Sequence, residues 1–140
     1  MTNNILLVDD EEIIRNLYTE FFEMKDCQVR TAKTGEECIN MLKGYEPDVV
    51  ILDIKMPGID GIETLKLIKN DEDLKKIPVV MLTAVNEVES IKECLSLGAI
   101  GYVVKINKPE HVFYQLQLFL KAIQSEKEGY NDNPPLRLVN

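Results

Sequence analysis

The sequence predicts an α/β protein: a doubly wound sandwich of five parallel strands covered on both faces by five helices. Three observations predict it. Four short runs, Ile5–Val8, Val49–Leu52, Val79–Leu82 and Tyr102–Val104, are almost wholly apolar and rich in Val and Ile, as strands buried on both faces of a parallel sheet are. Stretches of helical period fill the gaps, and strand–helix alternation of this kind calls for right-handed crossovers over a parallel sheet. The 140 residues make about one domain at ~150 residues per domain, long enough to bury a core without staples.

The elements follow in order. After the first strand, Ile13, Ile14, Leu17, Tyr18, Phe21 and Phe22 form an amphipathic stripe. The run Cys27–Ala32 alternates apolar with polar residues, as a strand with one wetter face does, most naturally at a sheet edge. Cys38, Ile39 and Leu42 mark the second helix and Ile62, Leu65 and Ile68 the third, with the Val49–Leu52 strand between them. Val88, Ile91 and Leu95 follow the fourth apolar run, and Val112, Leu116, Phe119, Leu120 and Ile123 mark a longer last helix. Asn107 and Glu110 have the spacing of a capping box that opens it, with Pro109 in the first turn. With the second strand at an edge, the expected order is 2-1-3-4-5, flavodoxin-like, with a ligand crevice between the first and third strands. The domain is expected to span residues 1–124. Residues 125–140 are polar, contain Pro134-Pro135 and read as a tail or linker.

Composition narrows the function. Sixteen Lys and Arg against 24 Asp and Glu leave a formal charge of −8, which argues against a nucleic-acid surface built on a basic stripe. One histidine, His111, cannot build a multi-histidine zinc site. Cys27, Cys38 and Cys94 are odd in number and lack CxxC spacing, so no disulfide framework is implied. The opening residues lack a basic segment and an 18-residue apolar span; the expectation is a cytoplasmic chain with no membrane partner.

The residues that end the strands carry the chemistry. The first strand runs into Asp9-Asp10, the third into Asp53, the fourth into Thr83 and the last into Lys105. In a parallel sheet these ends emerge on one edge, which places three carboxylates, a hydroxyl and an ammonium around one crevice. Each residue alone has a plain structural reading: Asp10 as the N-cap of the first helix, Thr83 as a loop hydroxyl, Lys105 as a solvated edge residue. Their coincidence on one edge does not. Clustered carboxylates raise one another's pKa unless a cation compensates, and Mg²⁺ suits an open cup of oxygen ligands. A metal, a lysine and a hydroxyl together bind a phosphoryl group. The loop Asp9-Asp10-Glu11-Glu12 has no glycine and would repel a nucleotide's phosphates. What remains is a carboxylate that itself accepts the phosphoryl group as an acyl phosphate.

Five motifs in order carry a resemblance: Leu7-Val8-Asp9-Asp10-Glu11; Gly35-Glu36-Glu37; Asp48 through Asp53 to Met56-Pro57-Gly58 and Asp60-Gly61; Ile77-Pro78 through Leu82-Thr83-Ala84; and Gly98-Ala99 through Tyr102 to Lys105. In these the sequence strongly resembles the receiver domain of bacterial two-component response regulators, over about residues 4–124. The resemblance implies Asp53 as phosphoacceptor. It implies Mg²⁺ held by Asp10, Asp53 and the backbone carbonyl of Lys55, with Asp9 holding a metal-bound water. Lys105 and Thr83 are implied to contact the phosphoryl oxygens, and Ala84 to leave room for the group. Thr83 and Tyr102 are implied to form the switch, and the fourth helix, last strand and last helix the output face. The implied partners are a sensor histidine kinase or histidine phosphotransfer protein, and a downstream effector protein or an effector domain beyond this sequence. Such a domain catalyses its own aspartyl phosphorylation and dephosphorylation, and is a switch rather than an enzyme.

One departure stands out. The family places proline directly after the lysine, whereas here Ile106 follows Lys105 and the Lys-Pro pair is Lys108-Pro109. Two registers are open, and the distances from Gly98, Ala99 and Tyr102 favour Lys105. A cis Lys108-Pro109 bond is open as well. Three other classes compete. A pseudo-receiver acting only as a protein-binding scaffold is opposed by the intact Asp9, Asp10, Asp53, Thr83 and Lys105. An aspartate-nucleophile phosphatase wants Asp-x-Asp after the first strand, where this chain has Asp9-Asp10-Glu11. A flavin module would meet repulsion between that acidic loop and the cofactor's phosphate.

Overall fold

A computed structural model of the chain describes residues 3–84, 88–105 and 108–127. The elements alternate throughout: β1 (Asn4–Val8), α1 (Glu12–Met24), β2 (Gln28–Ala32), α2 (Gly35–Leu42), β3 (Val49–Asp53), α3 (Gly61–Asn70), β4 (Val79–Thr83), α4 (Val88–Ser96), β5 (Gly101–Val104) and α5 (Pro109–Lys127). The strands form one parallel sheet in the order β2-β1-β3-β4-β5, the order the alternation predicts. β2 is an edge strand, as expected, its Gln28 and Arg30 exposed and only Ala32 buried. β3 and β4 are buried at every position.

Strand parity sorts the core into two layers. Ile5, Leu7, Val49, Ile51, Val80 and Leu82 pack with Tyr18, Phe22 and Phe119, under α1 and α5. Leu6, Val8, Val50, Leu52, Val79 and Met81 pack with Leu42, Leu65, Ile68 and Cys94, under α2, α3 and α4. Both faces are thereby covered, which is why the central strands need no polar face. Cys27, Cys38 and Cys94 are free and buried; they serve as small apolar residues. Among the described residues no helix is long and apolar enough to cross a membrane.

Three sequence expectations change. The stripe on α1 is wider than its buried face: Tyr18 and Phe22 are buried, whereas Ile13 is 78% and Leu17 38% exposed. Adjacent residues point ~100° apart on a helix, so Ile13 and Leu17 turn to solvent while Ile14, Tyr18, Phe21 and Phe22 pack on the core. The N-cap of α1 is Glu11, not Asp10. The last helix also continues past residue 124 through Ser125, Glu126 and Lys127, because those residues tolerate a helix and the next glycine is Gly129. Asn107, and with it the capping box, lies outside the described residues, as does Ile106. No cis peptide bond occurs among the described residues, Lys108-Pro109 included.

Candidate functional site

The carboxyl ends of β1, β3, β4 and β5 meet over a cavity of about 200 Å³ lined by Asp10, Glu11, Asp53, Ile54, Lys55, Thr83, Ala84 and Lys105. Backbone ladders bring the residues there. Asp9 extends β1 by one rung, its N–H donating to the Ala32 carbonyl at 3.1 Å. Its carbonyl accepts from the Arg15 guanidinium at 2.8 Å, and its Oδ1 accepts from the Glu11 N–H at 2.8 Å. That second bond is an Asx-type turn, and it fixes the carboxylate while starting α1. Asp53 ends β3 opposite Leu82, and the next N–H, of Ile54, donates to the Leu82 carbonyl at 3.1 Å. Thr83 ends β4 opposite Val104, and the Lys105 N–H donates to the Thr83 carbonyl.

The loop after β3 is closed from beneath. The Gly61 N–H donates to the Ile54 carbonyl at 2.7 Å, and a Cβ on Gly61 would overlap the Asp53 carbonyl oxygen and the Ile54 Cα. Asp60 caps α3, its Oδ1 accepting from the Glu63 N–H at 2.8 Å. Gly58 turns the loop at φ +77°, where a side chain is strained. Met56 is buried in the α2–α4 layer, a packing residue. Gly61→Ala is therefore expected to push on the Asp53 backbone itself and to destabilise by about 2 kcal/mol. Urea unfolding midpoints of parent and variant measure this; equal midpoints would mean the loop yields freely.

The charges converge on one ammonium. Lys105 Nζ lies 2.8 Å from Asp9 Oδ2, 3.1 Å from Glu11 Oε1 and 3.3 Å from Asp53 Oδ2. Its side chain is 8% exposed, against 0% for that of Asp9 and 59% for that of Glu11. Burial works against the lysine's charge, but the surrounding Asp9, Asp53 and Glu11 hold its pKa above the ordinary value. Asp53 goes the other way: burial, then the charge of Asp9, push it up to about 7, with Lys105 opposing. Desolvation and a like charge outweigh the counter-charge here.

One ligand atom each from Asp9, Asp10 and Asp53 lie within 4.8 Å of one another. Asp9 Oδ2 is buried and accepts no well-aligned hydrogen bond, although the ammonium faces it. A buried, under-satisfied carboxylate oxygen in an oxygen-rich cup fits a hard divalent cation.

All five strand-end residues predicted from the sequence are thus brought to one edge. Lys105 carries its ammonium into the cluster, whereas Lys108 is exposed. Tyr102 is half-buried on β5 opposite Met81 and packs on the α2–α4 layer, the side of the sheet that Met81 also faces. The direct tie of Glu11 to Lys105, and Arg15 on the Asp9 carbonyl, were not among the predicted site residues. Arg15 lies four residues after Glu11 on the same helix, but nothing in that spacing foretells a contact to Asp9. The cap of α3 did have a signal, Asp60-x-x-Glu63.

The profile of the response regulator receiver domain matches residues 5–117. The chain belongs to the receiver-domain family. It is 39% identical over 106 residues to sporulation initiation phosphotransferase F of Bacillus subtilis, covering 75% of this chain and 83% of that protein. It is 38% identical over 103 residues to the regulatory protein AtoC of Escherichia coli, covering 74% of this chain and 22% of AtoC. Its fold matches the chemotaxis response regulator CheY4 of Vibrio cholerae with a TM-score of 0.78 at 31% identity, covering 84% of this chain and 98% of that one. The receiver domain thus spans between about a fifth and a half of the length of several curated relatives, 45% for ycf27 of Guillardia theta. It is a receiver domain of two-component signalling, a class built for phosphorylation-dependent switching.

Proposed function

We propose that this receiver domain is a switch set by phosphorylation of Asp53. The phosphodonor is the phosphohistidine of a sensor histidine kinase or a histidine phosphotransfer protein. A carboxylate oxygen of Asp53 attacks phosphorus, the P–N bond breaks, and its electron pair stays on the departing imidazole. The observation that carries this reading is the placement of Asp53: 4% exposed at the end of β3, facing a small cavity, with an ammonium at 3.3 Å. Lys105 is positioned to receive the charge of the phosphoryl oxygens, and the Thr83 side chain lines the same cavity to hydrogen-bond one of them. Ala84 on that wall leaves space.

Asp10, Asp53 and the Lys55 carbonyl would hold Mg²⁺, with Asp9 behind them holding a metal-bound water. Bound there, Mg²⁺ would offset the negative charge gathered on the transferring group.

Thr83 and Tyr102 belong to neighbouring strands that end beside α4, so a group drawing the Thr83 hydroxyl inward opens space toward Tyr102 and alters the α4–β5–α5 face. That face is where a downstream effector, whether a separate protein or a domain of a longer chain, reads the state. The acyl phosphate is lost by hydrolysis, self-catalysed or with a phosphatase partner, so the domain acts as a cytoplasmic switch rather than a turnover enzyme.

Intact-mass measurement after incubation with acetyl phosphate tests the reading. A labile phosphoryl adduct is expected with Mg²⁺, lost on chelation and absent from Asp53→Ala. No adduct, or an adduct that survives Asp53→Ala, would overturn it.

A further inference from the structure

Lys105 is tied to three carboxylates that are not equivalent. Asp9 and Asp53 are fixed at strand ends and buried. Glu11 is the N-cap residue of α1, its side chain mostly exposed, and it reaches back over the mouth of the cavity to place Oε1 3.1 Å from Nζ. An ammonium has three donors, and here it has three carboxylate contacts. Two of the contacts, to Glu11 and to Asp53, are hydrogen bonds; a phosphoryl group on Asp53 takes over the second and competes with Glu11 for the ammonium. Of the three contacts, that to Glu11 is the least costly to give up. Its carboxylate returns to water, where an exposed ion pair is worth little, whereas releasing Asp9 strands a buried charge.

We propose that Glu11, held on Lys105 in the unphosphorylated domain, competes with the phosphoryl group for that ammonium, and so sets the rate at which anionic phosphodonors react at Asp53. This rests on the reading of Asp53 as the acceptor, and Glu11 acts through Lys105 as a positioning residue. Two effects point the same way. The Glu11 carboxylate competes with the incoming group for Lys105, to which it is hydrogen-bonded at 3.1 Å. The same carboxylate, at the cavity mouth, repels a donor that is itself anionic. The interaction surrendered is exposed, so the ground state holds Lys105 in place without locking it.

The test uses acetyl phosphate, with Mg²⁺ and at several salt concentrations, on the parent, Glu11→Gln and Glu12→Gln. In the reaction the bond from phosphorus to the acetate oxygen breaks, acetate leaves with the electron pair, and the Asp53 oxygen–phosphorus bond forms. Glu11→Gln is expected to be phosphorylated about fivefold faster at low salt, the scale of one charge removed at contact distance in water. The parent rate is expected to rise with salt as the repulsion is screened, and the Glu11→Gln rate to rise less. Glu12→Gln removes the same charge one residue along, at an exposed position in the first turn of α1, and is expected to behave like the parent. If the parent forms the adduct but Glu11→Gln matches its rate, or Glu12→Gln accelerates equally, this inference fails while the acceptor reading stands. If the parent forms no adduct under any condition, the acceptor reading fails and this inference falls with it.

Discussion

Lys105→Ala is expected to lower stability by about 3 kcal/mol near pH 8, because it leaves two buried carboxylates without their counter-charge. Asp9 and Asp53 are 0% and 4% exposed, so water cannot replace the ammonium as it would at a surface pair. The loss is expected to depend on pH with a definite sign. Lys105 opposes the upward shift of Asp53. Without it the folded-state pKa of that carboxyl rises further above its unfolded value. A group bound more tightly to its proton in the folded state contributes stability at low pH and loses it as pH rises through the folded pKa. The gap between variant and parent should therefore narrow toward about pH 5 and widen toward pH 8. Lys108→Ala, at an exposed position, is expected to change stability by no more than ~0.5 kcal/mol. Thermal unfolding of both variants at the two pH values checks this. A Lys105→Ala loss equal at both would mean that no buried ion pair is being broken.

Asp53→Asn is expected to do the opposite and stabilise the metal-free domain. The Asp53 carboxyl, pushed up to about 7 by burial and by Asp9, is protonated in the folded chain at pH values where the unfolded chain has already released its proton. As pH rises from about 4 through 7 the parent accordingly loses stability. The full shift sets a ceiling near 4 kcal/mol at about 1.4 kcal/mol per pKa unit. The expected gain for Asp53→Asn is about 2 kcal/mol near pH 8, some 6 °C in Tm for a domain of this size, and close to nothing near pH 4. Mg²⁺ should erase much of the difference by stabilising the parent selectively, by RT ln(1 + [L]/Kd). Melting curves across pH with and without Mg²⁺ read both effects. A destabilised Asp53→Asn at pH 8 would mean that the carboxylate is comfortable where it sits, contrary to its burial beside Asp9.

Much of this was legible in the residues because of a property of parallel sheets. Strands buried on both faces must be apolar along their length, so the first charged or hydroxylic residue after each run stands out, and the topology sends all of them to one edge. Asp9, Asp10, Asp53, Thr83 and Lys105 were readable for that reason, and β2 for the complementary one, since its alternating pattern marks a strand with one wet face. What was not legible depends on local geometry that residue type leaves open. Asp10 and Glu11 are both plausible openings for α1. The choice follows from the Asp9 side chain taking the Glu11 N–H, a bond no periodicity encodes. The end of α5 is similar: Ser125, Glu126 and Lys127 suit a helix or a tail, and residue type alone does not choose between them. Which of the paired apolar residues on α1 meets the sheet depends on helix rotation, which the stripe alone does not determine.

The most direct measurement locates the phosphoryl group on the chain. Hydride reduction of an acyl phosphate leaves homoserine in place of aspartate, and trypsin should release residues 44–55, which contain both Asp48 and Asp53. After treatment with acetyl phosphate and Mg²⁺ and then borohydride, homoserine is expected at position 53, with Asp48 in the same peptide unchanged. Homoserine at another carboxylate, or none in a peptide recovered in good yield, would contradict the assignment of Asp53 as the acceptor.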